Sequence, residues 1–148
     1  MISEYAKRFF ENYTGKASSE FTILAQSGSA RVNFLAKCEN EKYIITYNEN
    51  IQENESFLYY SKIFSDLHLN SPIIFAISDD RKIYVQEFLG SNTLSEVIAR
   101  EGLTGDVKSL VKLTLEKLYT LQIQTENKID FTKTFEYESY DELPITHD

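Results

Sequence analysis

The chain has no tryptophan, one cysteine, one methionine, two prolines and two histidines among 148 residues. With Cys38 alone, an internal disulfide and a cysteine zinc motif are both excluded. A reducing, cytoplasmic compartment is the simplest expectation. His68 and His147 lie far apart, and His68 falls at a helix end, where a cation is favoured anyway. No metal site is expected. No apolar run reaches the roughly 18–20 residues of a membrane helix, and Glu4, Lys7 and Arg8 interrupt the first residues, unlike a signal peptide. No membrane partner is expected. There is no run of five or six basic residues, and the net charge is −8. Nucleic acid is therefore not expected as a partner, because phosphate backbones attract clustered Lys and Arg. The phosphate-binding patterns G-x-x-x-x-G-K-[ST] and G-x-G-x-x-G are also absent, as is any recognisable Ser/His/Asp context.

What is present is a chain rich in Tyr and Phe, ten of each, long enough for one sound core. Ile2, Tyr5, Ala6, Phe9 and Phe10 have helical spacing over residues 2–13, ended by Gly15, and predict a helix lying across a sheet. Strands follow at residues 21–26 and 32–36, separated by the turn signal Ser27-Gly28-Ser29, and at 43–47, which is β-branched and aromatic. Asn50 and Glu53 make a capping-box-like pair for a helix over 52–67, with Phe57, Tyr60, Ile63, Phe64 and Leu67 on one face. Pro72 prevents its return. Strands at 73–77 and 83–88 flank the turn Asp79-Asp80-Arg81 and predict a hairpin. Thr93-Leu94-Ser95-Glu96 is a capping box for a short helix. A longer helix runs from Gly105 to about Gln124. The acidic tail after Thr125 carries Phe131, Phe135, Tyr137 and Tyr140 with no period, and is expected to be mobile or to pack on a neighbouring molecule.

Three stretches offer chemistry. In Ser27-Gly28-Ser29, glycine between hydroxyl residues lets backbone N–H groups approach a phosphate, with Arg31 adding charge; the same tripeptide is most often an ordinary hairpin turn. Glu53 and Glu55 lie in the first turns of the second helix, where the macrodipole favours carboxylates and capping alone accounts for them. Gln86-Glu87-Phe88-Leu89-Gly90 joins the last strand to the helices, and its backbone can pair with an adenine ring or serve as simple punctuation. Cys38 reads as a buried strand residue.

Taken together, SGSARVNFLA, KYIITYNENIQENESFLYYSKIF and NSPIIFAISDDRKIYVQEFLGSNTLSEVI resemble the aminoglycoside phosphotransferase and choline kinase-like family, in its bacterial branch related to sugar kinases. The resemblance covers residues 20–124 or so and rests on no single catalytic motif. It implies an α+β fold: a protein-kinase-like N-terminal lobe over 1–90, a five-stranded antiparallel sheet with one helix, then the start of a helical lobe over 91–148. It implies an ATP-dependent (or GTP-dependent) phosphotransferase acting with Mg²⁺ on a small hydroxyl-bearing acceptor, a sugar in the related branch. Ser27, Gly28 and Ser29 would cover the phosphates, Glu55 would be the helix glutamate with Glu53 as second choice, and Glu87, Phe88 and Leu89 would face the adenine. Two departures stand out. Thr46 occupies the place of the family's strand lysine, with Lys42 or Arg31 as substitutes. No catalytic residue of the family's later loop falls within the chain, whose Asp141, Glu142 and Asp148 lack that context. The chain is accordingly expected to be an inactive piece of a longer enzyme, with self-association through surfaces left uncovered. The competing expectations are a non-catalytic kinase-like regulatory or adaptor domain, and an acidic α/β chaperone-like binding protein.

Overall fold

The computed structural model describes residues 1–26 and 30–135. Helix α1 spans Ile2–Thr14 and ends at Gly15 in the left-handed region (φ 67°), where a missing Cβ removes the steric cost. Strands β1 (Glu20–Ile23), β2 (Val32–Cys38) and β3 (Glu41–Tyr47) precede helix α2 (Ile51–Asp66). Strands β4 (Ile74–Ile77) and β5 (Ile83–Glu87) follow, then helices α3 (Leu94–Glu101) and α4 (Gly105–Thr125) and a 3-10 turn at Phe131–Lys133. The strands form one sheet in the order β1-β2-β3-β5-β4, antiparallel at every junction. Because α2 carries the chain from β3 past its neighbour, β4 becomes an edge and β5 returns beside β3. Among the described residues, no helix is long and apolar enough to cross a membrane.

Register assigns the two sheet faces. Phe34 lies opposite Ile45, and Ile45 opposite Val85, so Phe34, Ala36, Cys38, Ile45, Ile83 and Val85 share one face. Helix α1 covers that face with Ala6 and Phe10, and together they form the buried apolar core. Phe10 also meets the Tyr43 ring at a centroid distance of 5.3 Å. Burying an aromatic side chain of this size removes about 150–250 Å² from water, so a 13-residue helix gains its place from two or three such contacts.

Helix α2 covers the other face, and there the apolar stripe expected from spacing is not the buried one. Asn54, Ser56, Leu58 and Ser61 are buried, whereas Phe57, Tyr60, Ile63, Phe64 and Leu67 are half-buried. The reason is that α2 is covered on two sides, by the sheet on one and by α4 and the 3-10 turn on the other. Its apolar side chains therefore spread around the helix, and Asn54, Leu58 and Ser61 share the sheet side with Phe57, which stacks on Tyr84. Asn50 caps the helix by accepting from the Glu53 N–H at 3.1 Å. Asn54 Nδ2 donates to the carbonyl of Arg81 at 2.9 Å, which ties α2 to the β4–β5 turn.

The segment after Thr125 also departs from expectation. Asp130 N–H donates to the Tyr59 hydroxyl at 2.8 Å, and Thr134 Oγ1 lies 2.6 Å from the Tyr60 hydroxyl. Residues 126–135 thus fold back on α2, with Asn127 in the left-handed region (φ 60°) making the reversal. Tyr137 and Tyr140, together with Asp141, Glu142 and Asp148, lie outside the described residues.

Candidate functional site

The α2-side face of the sheet carries polar side chains at its centre, where the opposite face is apolar and keeps its polar groups, such as Glu41 and Glu87, at the strand ends. Asn33, Thr46 and Tyr84 lie directly opposite one another on β2, β3 and β5. Leu35, Ile44 and Gln86 form the next row. Thr46, only 1% exposed, donates its hydroxyl to Asn33 Oδ1 at 2.7 Å and accepts from Gln86 Nε2 at 3.1 Å. Tyr84 is equally buried; burial pushes its phenol above the ordinary value, with the nearby Arg31 charge opposing. The Phe57 ring of α2 stacks on Tyr84 at 5.2 Å.

Arg31, just ahead of β2, closes one end of this face. Its Nε sits 3.0 Å from Glu53 Oε1, with both side chains about one-fifth exposed (22% and 20%). Its guanidinium lies over the Phe57 ring, 5.0 Å from the centroid. The other oxygen of Glu53 accepts from Asn48 Nδ2 at 2.7 Å. Asn48 in turn holds the Asn50 N–H through its Oδ1 at 3.0 Å. A buried amide thus fixes the carboxylate, the carboxylate orients the guanidinium, and an aromatic face supports it. A planar cation held this way loses less freedom when it meets an oxyanion than a free lysine would.

The expected site residues are only partly brought together. Arg31 and Thr46 sit on the same face. Glu55, named first as the helix glutamate, points elsewhere: it makes a two-pronged ion pair with Arg81 Nε and Nη2 at the β4–β5 turn. That pair holds the Glu55 carboxyl below its usual range. Glu53, the second choice, is the one facing the sheet. Lys42 does not approach Thr46; it lies four residues away along β3, about 13 Å, with its Nζ 5.4 Å from the Phe88 ring. Glu87 ends β5, its N–H bonded to the Ile73 carbonyl at 2.9 Å and its Oε2 accepting from the Ile73 N–H at 3.2 Å. Leu89 is exposed, and Gly90 turns the chain toward α3 with φ 108°. Ser27, Gly28 and Ser29 lie outside the described residues.

Three contributors were not foreseen: Asn33, Asn48 and Phe57; Gln86 was expected in the linker stretch and instead bonds Thr46 within the sheet. The alternation of Asn33 with Phe34 was legible, but it reads equally well as a solvated strand face. Among the described residues, no group of three or more His, Cys, Asp or Glu side chains is placed to hold a metal ion. No family model matches the chain, and no curated protein matches it.

Proposed function

We propose that this chain is the nucleotide-binding portion of an ATP- or GTP-dependent phosphotransferase, with a kinase-like N-terminal lobe over residues 1–90. The reading rests above all on one observation: Arg31, just ahead of β2, and Glu53 of α2 pair on the α2-side face of the sheet. A five-stranded antiparallel sheet with a single helix inserted between β3 and β4 supports it. In this reading Arg31 supplies the charge that Thr46 does not, and binds nucleotide phosphate oxygens with Glu53 holding its plane. Leu35 and Ile44 offer the purine an apolar surface, and Glu87 to Leu89 border it. The resemblance would give the covering of the phosphates to Ser27, Gly28 and Ser29. The acceptor is a small hydroxyl compound of the sugar type. The catalytic base and the Mg²⁺-binding acids come from a helical lobe that α3 and α4 begin, since phosphoryl transfer depends on positioning and on offsetting charge.

The test is calorimetric titration with Mg-ATP and Mg-GTP, alongside thermal melting. A ligand at 100 times its Kd adds about 2.7 kcal/mol of stability. Arg31→Ala should abolish that gain, and Glu53→Gln should weaken binding about tenfold with little change in the nucleotide-free melting curve. Absence of binding at millimolar nucleotide, or binding indifferent to Arg31, sinks the reading.

A second reading, a non-catalytic kinase-like binding module, is favoured by Thr46. Its side chain is buried and committed to two amides, so β3 presents no cation at that position, and its Lys42 lies toward Phe88. Nucleotide binding without any phosphoryl transfer, in a protein supplied with all its segments, would select it.

A further inference from the structure

Helix α4 is apolar on two sides. One side faces the rest of the molecule: Val107 and Thr125 are buried, and Val111 and Leu121 are half-buried. The other side carries Leu115, Tyr119 and Ile123, which are 61%, 65% and 53% exposed. A helix with apolar residues all round is normally covered all round. At about 3.6 residues per turn, Lys112, Leu115, Tyr119, Ile123 and Glu126 fall on one continuous face. Lys112 is 79% exposed, with Glu116 3.7 Å away on its own helix as its partner. Glu126, exposed, is the first residue beyond the helix.

The order of residues on this face is self-complementary. A two-fold contact requires that if one residue meets a second, the second meets the first. Laid antiparallel on a copy of itself with Tyr119 on the axis, α4 places Leu115 against Ile123 and Lys112 against Glu126, each twice. Laid parallel in register, it places Lys112 on Lys112 and Glu126 on Glu126, which repel. We propose that a second copy of this chain covers α4, in an antiparallel two-fold pairing centred on Tyr119. The contact is about 21 Å long at about 1.5 Å per residue. That is at the small end of specific interfaces, so the dimer dissociates on dilution. The pairing leaves Arg31, Glu53 and the α2-side sheet face open. A helical lobe laid on the same face would take the place of the second copy.

Sedimentation velocity on the 148-residue chain, from ten to several hundred micromolar, reads the outcome directly. The expected result is a concentration-dependent shift from 17.2 kDa to twice that mass. Leu115→Glu with Ile123→Glu, both at exposed positions, should abolish the shift while the melting curve of the dilute protein stays unchanged. The charge pair tests the register. Lys112→Glu alone and Glu126→Lys alone should each weaken self-association about tenfold, because each sets like charges opposite. Mixing the two variant chains should restore it, since every contact across the axis then joins opposite signs. A monomer at several hundred micromolar, a dimer indifferent to Leu115 and Ile123, or a mixture no tighter than its components overturns the pairing.

Discussion

The two faces of the sheet solve the same packing problem with opposite chemistry. Against α1, the sheet presents Phe34, Ala36, Ile45, Ile83 and Val85, and the interface is dry and apolar. Against α2 it presents Asn33, Thr46, Tyr84 and Gln86, and the helix answers with Asn54, Ser61 and the Glu53–Arg31 pair. The first face needs only volume and hydrophobicity, so it is energetically strong and chemically silent. The second depends on particular polar partners, because an unpaired buried polar group costs about 1–3 kcal/mol, and Asn54 Oδ1 is buried there without one. A protein has no stability reason to place amides, a hydroxyl and a cation on one half-covered sheet face when leucine would serve. That asymmetry is why the α2 side is the candidate site.

The contrast breaks most visibly at Phe10. Truncation to Ala in a fully buried aromatic site costs about 3–5 kcal/mol, which should lower the denaturant midpoint sharply. Because Phe10 touches only the apolar face, nucleotide affinity measured on the remaining folded protein should be unchanged. Loss of affinity without loss of stability would reverse the roles assigned to the two faces.

Asn54→Ala is the corresponding experiment on the other face. Asn54 is fully buried, and its amide donates to the Arg81 carbonyl, with longer approaches to the carbonyls of Asn48 and Lys82. Its removal leaves the Arg81 carbonyl without that donor and frees the α2 N-terminus from the β4–β5 turn, at a cost of about 2 kcal/mol. Since the same turn of helix carries Glu53, affinity for nucleotide should fall together with stability. If only stability falls, α2 does not transmit its position to Arg31.

The difference between the faces also governs what was legible from sequence. Alternation in the first two strands, β-branched and aromatic content in the third and the turn between the last two located all five, although β1 ends at Ile23 short of the expected residue 26; α1 was read with its buried side correct, because Ala6 and Phe10 follow a single helical stripe. The Phe57–Leu67 stripe of α2 misled because that helix is packed on both sides, so hydrophobic spacing no longer marks the sheet-facing line. Glu53 and Glu55 both sit in the opening turns of α2, about 200° apart around the axis. Only the positions of Arg31 and Arg81, distant in sequence, decide which carboxylate faces the sheet. Asn48 and Asn54 carry no local signal beyond helix capping, since their partners are backbone carbonyls and a carboxylate fixed by tertiary structure. The return of residues 126–135 onto α2 was hidden for a similar reason: Tyr59 and Tyr60 hold it through single hydrogen bonds that leave no periodic trace.

Thr46→Val sharpens the comparison more gently. The change keeps shape and removes the hydroxyl, leaving Asn33 Oδ1 and Gln86 Nε2 without that partner. The expected loss is about 1 kcal/mol, read as a small drop in urea midpoint with an unchanged slope. If this face tolerates valine at no cost, the amide row is solvated rather than structural.

The smallest effect lies at the rim, where Glu55 meets Arg81. The hydrogen bond from Arg81, followed by its charge, holds the Glu55 carboxyl below its ordinary range, against the opposing effect of burial. A carboxyl whose folded-state pKa is depressed stabilises the fold above its unfolded value, and that contribution disappears as pH falls through the folded one. Both side chains are close to half exposed, at 47% for Glu55 and 40% for Arg81. Solvent screening therefore keeps the contribution below about 1 kcal/mol. Glu55→Gln should be slightly less stable than the parent at pH 6, and the gap should narrow by pH 3 as the parent carboxyl takes up its proton. The other depressed carboxyls, Glu11, Glu49, Asp80, Glu96 and Asp130, titrate in both proteins and cancel in the difference. A gap that widens on acidification would mean that Glu55 is held by something other than the Arg81 charge.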